Sequence, residues 1–255
     1  MGFDITNELT ELRNKKLNQI DFKSPKELEV RRLDPVFAHD FISRHHYSKT
    51  CPQNIGLALG FYFQDILTTC IIYGIPVGRS LAQSIWEGGT HRECWELVRL
   101  FSHDNCIKNT ESYCIGQSFK YIKQNFPTIK VLVSYSDSKH SHFGYVYQAT
   151  NWMYIGEGGD KQEFYLFGNQ MHTRTANAKF GHANVSVLKE KFGQNFTQCK
   201  APPKYKYVYI LRDKKEIMKK RKFEIFPYPK PPKPEEIEKP KRRRNRSDGN
   251  KRTSE

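Results

Sequence analysis

Two apolar runs, GLALGFYF (56–63) and ILTTCIIYGIP (66–76), are separated only by Gln64-Asp65, a pattern that predicts an antiparallel hairpin. Further on, CWELVRLFS (94–102) and KVLVSYSD (130–137) read as strands. Between them Ile115, Phe119 and Ile122 recur at helical spacing, which predicts a helix from about Thr110 to Asn125, capped by Asn109 or Thr110. The near-continuous apolar content of KVLVSYSD suits a buried parallel strand. Upstream, a short strand around Leu28–Leu33 leads to Asp34 as helix N-cap and Pro35 at the first helical position. Phe37, Phe41 and Ile42 mark that helix's apolar face, and its end delivers His45, His46 and Tyr47. Downstream come a short helix, HFGYVYQATN (142–151), and the strands WMYIGE (152–157), FYLFG (164–168) and YKYVYILR (205–212). Strand–helix–strand order implies a right-handed crossover, so the expected fold is a mixed α/β sheet with flanking helices. A long loop, Val77–Arg92, carries Trp86.

Charge divides the chain. Its formal net charge is +15, and residues 200–255 alone hold 20 Lys and Arg against 8 Asp and Glu. The C-terminal fifth thus supplies most of the field, which suits a polyanion partner whose counterions lysine and arginine release; the other reading is a solvated tail that aids solubility. Residues 226–255 are Pro-rich and then Arg-rich, with little to bury, and are expected to be disordered. This gives an N-terminal helix or arm over 1–25, a folded domain over 26–225 and a basic tail over 226–255. No apolar stretch has the length of a membrane span, and the N-terminus lacks a signal-peptide core, so a cytoplasmic chain without a membrane partner is expected. The six cysteines form no CxxC pair and read as reduced, largely buried thiols.

In open α/β sheets ligands sit beyond the carboxyl ends of parallel strands. Arg99, on the strand before the 110–125 helix, is placed to add a bidentate contact to an anion held at that helix's N-terminus. Ser134-Tyr135-Ser136-Asp137 is a polar exit from an apolar strand, where Asp137 is either a ligand or base, or a turn-starting aspartate. Tyr147 is either a general acid that also orients substrate, or a core tyrosine. His45, His46 and Tyr47 offer a base or metal ligands, or histidines favoured by the helix dipole.

The motifs RHHYSKT (44–50), ELVRL (96–100), NTESYCIGQSF (109–119), VSYSD (133–137) and GYVYQATNWMYIG (144–156), closed by PPKYKYVYIL (202–211), resemble in order those of the Mom family. That resemblance implies a GNAT-like fold and transfer of a methylcarbamoyl (acetamido-type) group to N6 of adenine in phage DNA, which blocks restriction. It implies ferrous iron on His46, Tyr47 and Asp137, with Tyr147 and Arg99 in the active site and Ser112 as the helix-start serine that joins Arg99 in holding a cofactor. One stretch departs from the acetyltransferase pattern: SHDNCIKNTES (102–112) has no glycine, so acyl-coenzyme A binding through the usual Gly-rich turn is doubtful.

A paired, stacked adenine must be rotated out of the duplex before its amine can react. Trp86, or the stretch HTRTANAKFGH (172–182), is expected to support the displaced base or strand. His172, Arg174 and Lys179, with Arg242, Arg243 and Arg244 of the tail, are the expected contacts to double-stranded DNA; the other reading of 172–182 is a charged surface loop. Two other functions stay open: a GNAT-like acyltransferase acting on a protein or metabolite, and a non-catalytic DNA-binding protein.

Overall fold

The computed structural model describes residues 20–231 apart from 77, 79, 139–141, 159–161 and 172. β1 (Glu29–Arg32) is followed by α1 (Pro35–His45). Asp34 caps α1 by accepting from the Val36 and Phe37 amides, with Pro35 at its first position. β2 (Ile55–Phe63) and β3 (Ile66–Gly74) form the hairpin about Gln64-Asp65. α2 (Leu81–Ile85), β4 (Cys94–Ser102), α3 (Thr110–Asn125), β5 (Val131–Asp137), α4 (Tyr145–Ala149) and β6 (Met153–Glu157) come next. After 162–200, β10 (Lys204–Ile210) returns to the sheet and α7 (Lys214–Lys219) follows it.

The main sheet has seven strands in the order β1-β2-β3-β4-β5-β10-β6. Only β4 and β5 are parallel, joined by α3, and β10 slots antiparallel between β5 and β6. The mixed α/β sheet with flanking helices expected from the sequence is present. β2, IGLALGFYF, is an unbroken apolar run because both of its faces are covered. Leu57, Leu59, Phe61, Ile71 and Tyr73 share a core with Ile115, Phe119 and Ile122 of α3. The alternate residues Ala58, Cys70 and Ile72 pack with Phe41 and Ile42 of α1.

Four sequence expectations are displaced. Trp86 is buried with Ile85, Val131 and Ile217 and pairs its backbone with Arg221, so it is core and cannot support an extruded base. The FYLFG segment does not join the main sheet. It forms β7 (Gln162–Leu166) of a separate three-stranded sheet, order β8-β7-β9, with β8 (Asn169–Met171) and β9 (Phe196–Lys200). The chain also stays on the fold past 225: the Phe226 amide donates to Tyr154 O at 3.0 Å, and the Tyr228 phenol to Trp152 O at 2.8 Å. At the other end, Ile20 and Phe22 are buried in the main core, so the fold begins before residue 26. Residues 1–19 of the expected arm, and the tail from 232, lie outside the described residues. Among the described residues no helix is long and apolar enough to cross a membrane, and no disulfide joins the six cysteines.

Candidate active site

β4 and β5 pair only as far as Leu97 and Ser134. Beyond that rung each strand continues without the other, β4 to Ser102 and β5 to Asp137. A cavity of about 850 Å³ opens there, lined by Leu97, Val98, Arg99, Tyr135, Ser136 and Asp137 from the two strands. That volume is in the usual range for small-molecule pockets. Three further pieces of chain close around it: His46 to Pro52 after α1, His142 to Tyr147 at the start of α4, and Lys204 at the start of β10.

At the fork, Ser134 Oγ lies 2.8 Å from Leu97 O and 2.8 Å from the Tyr147 hydroxyl. The serine has one proton to give. When it goes to Leu97, the phenol donates to Ser134; when it goes to Tyr147, the phenol proton is free for another acceptor. Burial, the largest influence, pushes the Tyr147 phenol up to about 12, so at neutral pH it is a proton donor. Gly144 sets its position. That residue has a left-handed φ of +69°, and a Cβ there would stand 2.6 Å from the Tyr207 ring. Tyr207 in turn donates to Phe143 O at 2.7 Å, fixing the backbone from which Tyr147 is delivered.

His46 terminates α1 and is buried beside the cavity. Burial, then the charge of Arg99 and then that of His142, lower it to about 4, so it is neutral at pH 7. Its Nδ1 accepts from the Ser48 amide at 3.1 Å and lies 2.8 Å from the Ser48 hydroxyl. Because a backbone amide can only donate, the ring proton sits on Nε2, and neutral His46 is a hydrogen-bond donor there. Tyr47 lies against His46, ring centroids 4.3 Å apart, and stacks on His142 at 5.6 Å and 12°. Burial, then the Asp137 carboxylate, raise the Tyr47 phenol. Asp137 lies 3.5 Å from Lys204 Nζ.

Arg99 holds the loop after α1: Nε donates to Thr50 O at 2.8 Å, Nη2 to Thr50 Oγ1 at 3.1 Å and Nη1 to Val98 O at 2.6 Å. Its planar fork therefore spans β4 and the segment that carries His46 and Tyr47.

The structure thus brings His46, Tyr47, Arg99, Asp137 and Tyr147 to one cavity. Ser112 is not with them. It is on the first turn of α3, donates to Asn109 O at 3.0 Å and does not line the cavity that Arg99 lines. Asn109, at +71°, supplies the left-handed turn before α3 that glycine would otherwise make, and its side chain makes no cap. His45 packs among Phe41, Phe101 and His103. Lys179 is exposed on α5 (Thr173–Phe180); the Arg174 side chain, His172 and Arg242, Arg243 and Arg244 lie outside the described residues. Sequence reasoning missed Ser134, His142, Thr50 and Lys204. The first reads only as part of the polar exit from its strand, and the others act only through contacts distant in sequence.

The structure lends the implied ferrous iron no support of its own. Among the described residues no group of three His, Cys, Asp or Glu side chains comes together to hold a metal ion. His46 Nδ1 accepts from the Ser48 amide, and Asp137 lies 3.5 Å from Lys204 Nζ. Binding through His46 Nε2 requires the ring proton to move to Nδ1, which removes the acceptor the Ser48 amide uses.

Residues 27–230 match the Mom protein family. The chain belongs to that family. A curated member, "Methylcarbamoylase mom" from Escherichia phage Mu, is 28% identical over 212 residues, covering 80% of this chain and 85% of the phage protein. The match takes in the whole main sheet and its cavity, and it also takes in the three-stranded unit at 162–200 as part of the Mom chain. Among solved structures the chain is similar in architecture to an N-acetyltransferase from Staphylococcus aureus (15% identical, TM-score 0.39, covering 72% of this chain and 97% of that one). It is also similar to a putative acetyltransferase from Salmonella typhimurium with its cofactor acetyl-CoA (9%, TM-score 0.40, 73% and 95%) and to the ribosomal-protein-S18-alanine N-acetyltransferase of Escherichia coli (6%, TM-score 0.42, 72% and 94%).

Proposed function

We propose that this Mom-family chain is a transferase that modifies DNA, attaching a methylcarbamoyl (acetamido-type) group to N6 of adenine and so shielding the DNA from restriction. The phage methylcarbamoylase relative supports the group transferred. The observation that carries the reading is the fork itself: a buried phenol, a neutral imidazole and a carboxylate converge on one cavity where parallel strands part.

In the reaction a new N–C bond forms at N6, the bond to the donor's leaving group breaks with its electron pair, and N6 releases one proton. A neutral adenine amine is a weak nucleophile, so each charge that develops needs a group aimed at it. Tyr147, with its proton directed outward when Ser134 donates to it, supplies a proton to the leaving group. Asp137 is the carboxylate placed to take the proton from N6, with Lys204 beside it to stabilise the anion before it does so. His46 donates from Nε2 to a polarised oxygen of the donor. Arg99 keeps the His46–Tyr47 segment over the fork.

The test is protection. Plasmid DNA from a bacterium expressing the chain should resist an endonuclease whose site contains adenine, and Tyr147→Phe should restore cleavage. Ordinary cleavage of DNA from cells that contain the folded wild-type chain would overturn the reading. Coenzyme A co-purifying with the chain, with unprotected DNA, would favour an acyltransferase acting elsewhere.

A further inference from the structure

Residues 162–200 are inserted between β6 and β10 and build their own small fold: β7, β8, α5, α6 (Val185–Phe192) and β9. Phe164, Met171, Ala176, Leu188 and Phe196 form a core separate from those of the main sheet. The transfer chemistry uses none of it. Ala201-Pro202-Pro203 alone separates Lys200 from Lys204, which lines the cavity. Four residue steps place the unit at most about 14 Å along the chain from that rim, and the two prolines fix φ in the joint.

One surface of the unit is cationic and aromatic together. Lys179 from α5 and Lys191 from α6 both lie over the Phe180 ring, Nζ to centroid 5.8 and 5.5 Å, and Lys191 is 5.6 Å from Phe192 as well. Both lysines are exposed, and neither is in an ion pair among the described residues. Glu190 on α6 is the acidic neighbour. Phe180 meets Phe192 at 5.2 Å, and Phe192 meets Phe167 edge-on at 6.3 Å. Three rings thus run from the lysine pair to the tip of the β7–β8 hairpin.

Phe167 is the unusual residue. It is 62% exposed at a two-residue turn, Phe167-Gly168, whose members have φ of +51° and +76°. Such turns favour Asn, Asp or Gly at the first position, and a bulky side chain there is strained. Strain and exposure in this one aromatic residue, near lysines that make no ion pair among the described residues, are set against only an edge-on ring contact with Phe192 within the unit. Both are accounted for by a ligand with phosphates for the lysines and flat apolar faces for the ring.

We propose that the 162–200 unit is the duplex-docking module of the enzyme: Lys179 and Lys191 bind backbone phosphates, and Phe167 enters the base stack beside the adenine that is turned out toward the cavity. This rests on the DNA-modification reading and names the surface that presents its substrate.

Binding of the full chain to a DNA duplex is measured over a range of salt for the wild type, for Lys179→Ala/Lys191→Ala and for Phe167→Asn, with 2-aminopurine in the duplex at the target position. The double lysine variant should bind more weakly, with the slope of log K against log salt smaller by about 1.8. Phe167→Asn relieves the turn, so its Tm should match or exceed that of the wild type. Its affinity should nonetheless fall at least about fivefold with an unchanged salt slope, and the 2-aminopurine signal of extrusion should be lost. Wild-type binding and extrusion in both variants would overturn the proposal and leave the face to a protein partner. If the wild-type chain itself neither binds nor modifies DNA, the parent reading fails; if it does both and the variants do so equally, this inference alone fails.

Discussion

The hydroxyl of Ser134 and the phenol of Tyr147 stand 2.8 Å apart at the rung where β4 and β5 separate, with Leu97 O 2.8 Å from the same serine oxygen. Ser134 therefore decides which way the phenol proton points. Tyr147→Phe should lower kcat by about 10²- to 10⁴-fold, the usual worth of a positioned proton donor, with KM little changed. Ser134→Ala should lower kcat less. It should also destabilise the fold by roughly 1–3 kcal/mol, because the buried phenol loses its partner. Unaltered kcat in Tyr147→Phe would make the tyrosine a packing residue.

His46 gives the fold an acid sensitivity. In the unfolded chain the ring takes a proton as pH falls through about 6.5, its ordinary value; in the fold burial, Arg99 and His142 hold it neutral down to about 4. Its contribution is therefore fully present above pH 6.5 and is lost progressively between 6.5 and 4. Denaturant midpoints measured across that window should fall more steeply for the wild type than for His46→Asn. Parallel curves would contradict the neutral, buried assignment.

Arg99 and Thr50 act as one unit across 49 positions of sequence. Lysine keeps the charge but cannot reach Thr50 O, Thr50 Oγ1 and Val98 O together. Arg99→Lys and Thr50→Val should each reduce kcat/KM about 10- to 100-fold by loosening the His46–Tyr47 segment. Their double variant should be little worse than either alone. Additive losses would separate the two residues.

The basic tail should divide at Pro231. Deleting 232–255 should leave Tm unchanged, weaken duplex binding at all sequences alike and flatten its salt dependence, since Arg242, Arg243 and Arg244 go with it. Deleting 226–255 should also lower Tm, because it removes the Phe226 amide from Tyr154 O and the Tyr228 phenol from Trp152 O. Equal Tm in both truncations would mean that Phe226 and Tyr228 contribute nothing to the fold.

Local chemistry made the elements legible. Asp34-Pro35 starts α1, Gln64-Asp65 turns the hairpin, and Ile115, Phe119 and Ile122 mark the face of α3. His46 and Asp137 were legible as polar groups at element ends, Arg99 as a cation on a strand and Tyr147 as a phenol on a short helix, and the cavity unites them. What periodicity does not encode is pairing between distant strands. Nothing in YKYVYILR says that it slots between β5 and β6, or in FYLFG that it leaves the main sheet. Trp86 was misplaced for the same reason, since the partner that buries it, the segment around Ile217 and Arg221, lies more than 130 residues away. Ser134 was missed because its role depends on Leu97 and Tyr147, which are neighbours only in the folded sheet.

The nucleosides themselves give the most direct test. DNA from a bacterium expressing the chain is digested completely and analysed by mass spectrometry beside DNA from cells expressing Tyr147→Phe. The account predicts a new deoxyadenosine species that carries the acetamido-type addition on its base in the wild-type sample, with little or none in the variant. Ordinary nucleosides in both samples, from cells holding folded wild-type protein, would contradict it, and a modified cytidine or thymidine in place of deoxyadenosine would refute the adenine assignment.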